Sequence, residues 1–214
     1  MIVDVHVHLL DHSDMSESFL DASGHSKDGG VDLVSRWEEY SAATPAETVS
    51  IVFGGKARLS GIWADDSKIA AFATRHSDSV IGFMGVDPTQ PGWQDELHHG
   101  HQDLGLRGIK VMPMYAGFDP SSPLCDPLWQ YATDNNLPIL SHTGTTFVPR
   151  APLDFARPGL FDSVARRYPD LRLILAHLGH PYEGACLATI RKHPNGWIAP
   201  ANSANSPWLN PDAG

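Results

Sequence analysis

Cysteine is scarce in this sequence. Its 214 residues include two, Cys125 and Cys186. Without any Cys-x-x-Cys, this excludes a disulfide framework and the paired-cysteine zinc and redox motifs. A reducing compartment is the simplest setting for such a chain. Basic runs are lacking too. Against 25 Asp and Glu stand 15 Lys and Arg, a formal net charge of −10, so nucleic acid and anionic membrane are poor partners. No basic stretch followed by an apolar one opens the chain, and no apolar run approaches the roughly 20 residues of a membrane span. The expectation is a soluble, cytoplasmic protein that meets a small molecule. No Gly-x-Gly-x-x-Gly loop follows the first strand-like run, which removes the usual dinucleotide-binding reading.

What is present is an alternation. Strand-like runs fall at about 2–8, 49–53, 79–86, 107–112, 137–142 and 171–177. Segments with apolar residues near the 3.6-residue helical period lie between them, the first opening at Val34 and Trp37. Both cysteines fall in such segments. Strand alternating with helix predicts a parallel sheet with helices outside it. About six βα units can be counted, fewer than the eight of a (β/α)8 barrel of roughly 250 residues. Residues 9–30 form a long polar segment rich in Gly and Ser after the first strand, read as a loop: a lid, or an insertion without a role.

The opening "MIVDVHVHLL" places His6 and His8 two apart in a β-branched run. Successive strand residues point to opposite faces, so Asp4, His6 and His8 share one side and Val3, Val5 and Val7 the other, a face suited to packing under helices. His142 ends the fifth strand in "LPILSHTGTT", and His177 ends the sixth in "LRLILAHLGHPY", with His180 three residues on. Parallel α/β enzymes place their chemistry at this end of their strands. Each histidine alone is more often structural; their shared rim points to a metal. Lys110, ending the fourth strand in "RGIKVMP", either faces that rim to bind an anionic substrate group or reaches past the strand to solvent. Asp87 in "GVDP" either orients a ligand or substrate or makes a turn with Pro88. Arg58 in "FGGKARLSG" is a candidate clamp for a substrate carboxylate. His98, His99 and His101 read as a solvated group on an outer helix, and His76 and His193 as helix-closing residues. His12 and His25 lie in the long loop, within reach of the rim.

The ordered set "DVHVHL", "GLRGIKVMP", "LPILSHTG" and "LILAHLGHP" resembles the amidohydrolase-related family, in the branch that includes aminocarboxymuconate-semialdehyde decarboxylase. The resemblance covers residues 1–195. It implies a distorted (β/α)8 TIM-type barrel holding Zn²⁺ or a similar divalent ion. By match, His6, His8 and His142 would be metal ligands. His177 would be the general acid/base, or a further ligand if there are two metals, with His180 a second candidate for that role. Lys110, Arg58 and Asp87 remain the substrate-side candidates. The implied activity is hydrolysis of a C–N or C–O acyl bond in a small carboxylate-type substrate through a metal-activated water. The alternative on the same site is a carboxy-lyase.

The match also breaks. The family carries a metal-binding aspartate at the end of strand eight, in a Gly-Ser-Asp context that this sequence lacks. Residues 196–214, rich in Pro, Asn, Ala and Ser, read as an irregular tail rather than a strand. Asp212 lies there and is not assigned as a ligand. The expectation is an incomplete barrel, truncated at its C-terminus, with exposed edges across which two copies could dimerise. A third reading follows, a non-catalytic remnant that keeps the fold and has lost the chemistry.

Overall fold

The structure is a computed structural model and describes residues 2–24 and 33–198. β1 (Ile2–His8) leads through a 3-10 turn into α1 (Glu17–Gly24), and α2 (Trp37–Ala43) precedes β2 (Thr48–Phe53). A short hairpin follows, β3 (Lys56–Ala57) with β4 (Ile62–Trp63), and then α3 (Asp66–Arg75). The chain continues through β5 (Val80–Gly82), β6 (Met84–Val86), α4 (Trp93–His98), β7 (Ile109–Val111), α5 (Pro113–Ala116) and α6 (Asp126–Asp134). Last come β8 (Ile139–Ser141), α7 (Leu160–Arg167), β9 (Leu173–Leu175), α8 (Glu183–Lys192) and β10 (Gly196–Ile198).

Outside the hairpin, the strands pair in parallel: β1 with β2, β2 with β5, then β6, β7, β8, β9 and β10 in series. Phe83 alone separates β5 from β6. Its N–H donates to Val52 O at 2.9 Å, and the next N–H, of Met84, donates to Gly108 O at 2.9 Å. The chain thus changes partner at one residue and the wall continues. With β5 and β6 taken as one strand, the wall follows chain order from β1 to β10. Among the described residues β1 and β10 are its two ends, so the α/β barrel of the TIM type is incomplete.

Period-two alternation divides the core. Ile109, Val111, Ile139, Leu173 and Leu175 face outward and pack with Leu97, Leu128, Trp129 and Phe161 of the helical layer. Ile51, Phe53, Phe83, Leu140 and Ala176 form a smaller inner cluster. Lys110, between Ile109 and Val111, joins that inner side.

Several expectations change. Gly196–Ile198, read as the start of an irregular tail, pairs in parallel with β9. The open edge of β9 supplies the backbone partners, and such pairing overrides a weak local pattern. Residues 199–214, Asp212 among them, lie outside the described residues, as does His25. The segment 9–30 is not all loop. It contains α1, anchored by the buried Phe19, whose ring lies 6.4 Å from Tyr115 and 5.4 Å from Phe147. The helix expected from Val34 starts at Trp37. The valines of β1 do not share one face, nor does Asp4 share the side of His6 and His8: the register shifts between Asp4 and Val7, Asp4 accepts from the Tyr40 hydroxyl of α2 at 3.0 Å, and Val5 packs against the inner cluster. Cys125 closes a 3-10 turn before α6 and Cys186 sits in α8, both as buried free thiols. Among the described residues no helix is long and apolar enough to cross a membrane.

Candidate active site

Four histidine rings form a chain at the C-terminal end of the wall. Ring centres are 5.2 Å apart from His8 to His6, 4.7 Å from His6 to His177, and 4.6 Å from His177 to His142. His6 and His8 come from β1, His142 from the residue after β8, and His177 from the 3-10 turn after β9. Phe53 packs against His6 at 5.2 Å and His8 at 4.6 Å, and Tyr115 meets His142 edge-on at 4.9 Å. The backbone of His177 is left-handed, with φ 59° and ψ 23°. A non-glycine residue there costs roughly 1–3 kcal/mol, which the surrounding packing must hold.

Carbonyls set the tautomers of two rings. His8 donates through Nδ1 to Gly54 O at 3.1 Å, leaving the Nε2 lone pair. His142 donates through Nε2 to Thr145 O at 3.0 Å, leaving the Nδ1 lone pair. His177 Nε2 meets that lone pair at 3.3 Å. Two glycines permit this approach. A Cβ on Gly54 would stand 2.2 Å from the Ala64 Cβ, and one on Gly144 (φ +103°) would stand 2.3 Å from His180 O.

Lys110 is 1% exposed and donates from Nζ to His6 Nε2 at 3.3 Å, with Nζ 4.5 Å from the Phe53 ring centre. Burial pulls its ammonium down to about 7. Burial, then the Lys110 charge, lowers His8 to about 3 and His177 to about 4. His6 is held well below 6.5 for the same reasons; at His142 burial acts first, then His177 and Lys110. All four imidazoles are therefore neutral at pH 7, the form that binds a metal or accepts a proton.

The structure thus brings His6, His8, His142, His177 and Lys110 together. His180 turns elsewhere, its half-exposed ring 2.5 Å from Glu183 at the start of α8. Asp87 is buried, and its carboxylate organises a turn: Oδ1 accepts from Thr89 N and Oγ1, and Oδ2 accepts from Arg58 N at 2.9 Å. Arg58 lies at the same end of the wall, its guanidinium 3.8 Å over the Trp63 ring. His98 and His99 are exposed as expected, whereas His101 bonds the Tyr131 hydroxyl at 2.8 Å. His76 and His193 cap α3 and α8, and His12 is exposed in the turn after β1. Sequence reasoning missed Phe53 and Tyr115. Phe53 ends β2, the position that singled out the histidines, whereas Tyr115 stands inside α5, four residues past β7.

The donor chemistry fits a divalent ion: the imidazoles are neutral, and carbonyls hold the second nitrogens of His8 and His142, while His6 Nε2 meets Lys110 Nζ. Two imidazoles bound at roughly 2 Å to one tetrahedral ion have ring centres about 5 Å apart. The 5.2 Å between His6 and His8 has that spacing. Among the described residues no three His, Cys, Asp or Glu side chains already form a group that could hold an ion. Entry of a third ring would require His142 to exchange its contact with His177.

A parallel barrel wall whose strand ends carry histidines defines a class of TIM-barrel protein. The family model for amidohydrolases matches residues 3–213, and this chain belongs to that family. Comparison with curated proteins finds no match. Among solved structures, an uncharacterized TIM-barrel protein, Bb4693 of Bordetella bronchiseptica, is similar with a TM-score of 0.71 at 17% identity, over 93% of this chain and 74% of that one. The 5-carboxyvanillate decarboxylase LigW of Sphingomonas paucimobilis gives 0.60 at 11% identity, over 91% and 75%. LigW2 of Novosphingobium aromaticivorans, with bound manganese and 3-methoxy-4-hydroxy-5-nitrobenzoic acid, gives 0.62 at 15% identity, over 90% and 68%. These likenesses show the fold.

Proposed function

We propose that this chain is a metal-dependent hydrolase acting on C–N or C–O acyl bonds of a small carboxylate-bearing substrate. The observation that carries the reading is the chain of four neutral imidazoles, with ring centres 4.6–5.2 Å apart, at the strand ends of an amidohydrolase-family barrel. His6, His8 and His142 would hold a divalent ion, zinc on the chemistry of imidazole ligands. When bound, that ion supplies a Lewis acid for the acyl carbonyl and makes hydroxide available near neutral pH.

The side chains do the rest. His177 is the proton carrier; with Nε2–H directed at His142 Nδ1, its free-base Nδ1 takes a proton from the attacking water and returns it to the leaving group. His177 is preferred to His180 because its ring stands between His6 and His142, while His180 faces Glu183. Lys110, whose ammonium titrates at about 7, supplies a charge that burial makes strong toward an anionic group. Arg58 is the second clamp.

A carboxy-lyase on the same site is the second reading, favoured by the presence of decarboxylases such as LigW and LigW2 among the structural neighbours. There His177 would deliver a proton to the carbon that loses CO₂.

Elemental analysis for zinc and manganese, on the purified protein and on a His6→Ala/His8→Ala variant, tests the metal. One ion per chain is expected in the first and a large loss in the second; equal content in both removes the assigned ligands. Release of CO₂ from aromatic and dienoic acids, set against cleavage of lactones and amides, separates the two activities.

A further inference from the structure

A cleft opens at the same end of the wall. It has a volume of about 420 Å³, with Asp14, Ser16, Ser18, Arg58, Trp63 and Arg150 among its lining residues. That volume is within the range of small-molecule sites, roughly 300–1,000 Å³. Three separate segments build it: the turn and start of α1 after β1, the β3–β4 hairpin after β2, and the loop after β8. The charge is arranged for an anion. Asp14 is the one acid in the lining, set against two arginines, and its carboxylate is held by Lys68 Nζ, which Asp11 shares, and by the Asp11 N–H at 2.9 Å.

Arg58 is held in advance. Its backbone N–H is fixed by the buried Asp87, and its guanidinium carbon stands 3.8 Å from the Trp63 ring centre. One face of a guanidinium on an aromatic ring leaves its N–H edge available for a carboxylate or phosphate. Trp63 and Leu59 add apolar surface for a carbon skeleton, and the paired hydroxyls of Ser16 and Ser18, 3.1 Å apart, add polar groups. The wall of this cleft adjoins the histidines. Ser60 donates to the Tyr115 carbonyl at 2.6 Å, and the Tyr115 ring abuts His142.

We infer that Arg58 and Arg150, brought into one cleft, make a subsite for a doubly charged small acid, a dicarboxylate or a phosphate monoester. The inference rests on the amidohydrolase-type site proposed above and narrows its substrate class. A monoacid satisfies one guanidinium and leaves the other to solvent, so the cleft discriminates by charge.

Calorimetric titration of the purified full chain at pH 8 tests this with three probes: benzoate, isophthalate and phenyl phosphate. A charge-assisted pair is worth about 1.5–3 kcal/mol, so one or both dianions are expected to bind about tenfold or more tighter than benzoate. Which of the two binds tells a dicarboxylate from a phosphate monoester. Arg58→Gln and Arg150→Gln should each bring the preferred dianion down to the benzoate level while leaving metal content as in the wild type. Arg58→Lys and Arg150→Lys, which keep the charge and lose the planar fork, should recover only part of the affinity and serve where a Gln variant loses its cooperative melt. Benzoate binding as tightly as both dianions, neither dianion binding at all, or an Arg150→Gln protein that binds like the wild type would overturn the inference. Titration after chelator treatment keeps the two questions apart: dianion binding that persists there supports the cleft even if elemental analysis finds no metal, a result that would count against the proposed function alone.

Discussion

His177 Nε2 stands 3.3 Å from His142 Nδ1, although 35 positions separate them in the sequence. The nitrogen of His142 that a metal would take is the one His177 now touches. Ligand and proton carrier therefore act as a coupled pair. Substituting each should give different losses: His142→Ala lowers both metal content and turnover, whereas His177→Ala keeps most of the metal and loses turnover by about 10²–10⁴-fold. Metal analysis beside a kcat measurement reads the difference. Equal metal loss in both variants would make His177 a ligand instead.

Acid should destabilise the metal-free protein through this site. His8 and His177 titrate at about 3 and about 4 in the folded chain, against 6.5 in an unfolded one. As pH falls below 6.5 the unfolded state takes up protons first, so stability present above 6.5 is lost on the way down to 4 and 3. Lys110 acts in the same sense higher up: its folded form titrates at about 7 against 10.5 unfolded, so stability rises across that interval. One pH unit is about 1.4 kcal/mol, so His177, moved from 6.5 to about 4, accounts for roughly 3–3.5 kcal/mol. Urea unfolding at pH 8, 6.5, 5 and 4 should show the fall, with a shallower slope in His177→Gln. An unchanged slope in that variant would contradict its burial as a neutral ring.

Lys56 ties three elements below the site. Its Nζ lies 2.8 Å from Asp66 and 2.7 Å from Glu96, and Asp66 also accepts the Gly85 N–H at 2.9 Å. Lys56→Met leaves a buried carboxylate without its cation, a loss of about 3–5 kcal/mol. Adding Asp66→Asn should restore part of that stability, because the stranded charge is gone. Denaturant midpoints of the two proteins measure it; no recovery in the double variant would show that Lys56 acts by packing rather than by charge.

Gly144→Ala should destabilise the protein by more than about 2 kcal/mol, since it adds a Cβ 2.3 Å from His180 O at a φ of +103°. The loop 143–147 carries the Thr145 carbonyl that orients His142, so metal retention should fall with stability. A lower melting temperature with full metal content would separate the loop from the ligand.

Much of the architecture was legible because it is written in local periodicity. The β-branched run at 2–8 and the apolar runs ending at His142 and His177 predict strands, and their alternation with helical segments predicts parallel pairing. What failed was locally quiet. Gly196–Ile198 pairs because β9 offers an open edge. α1 stands in a polar stretch because Phe19 packs on Tyr115 and Phe147 from distant segments. Asp87 had two readings, and only its hydrogen bonds to Thr89 and Arg58 assign it to a turn. Nothing in the sequence around Arg150 links it to Arg58.

The sequence alone determined that histidines stand at the ends of strands one, five and six, because the apolar runs end at them; the face was set by the structure, where the register shift between Asp4 and Val7 turns Asp4 to Tyr40 and leaves His6 beside His8. It could not determine which nitrogens of His8 and His142 donate to carbonyls, that all four rings are neutral, or that His177 rather than His180 enters the group. Those depend on burial, on the Gly54 and Thr145 carbonyls, on the left-handed turn at His177 and on the nearby Lys110 charge. Each of these is a contact between segments far apart in the chain, and only the folded arrangement sets the distances on which desolvation and Coulomb forces depend.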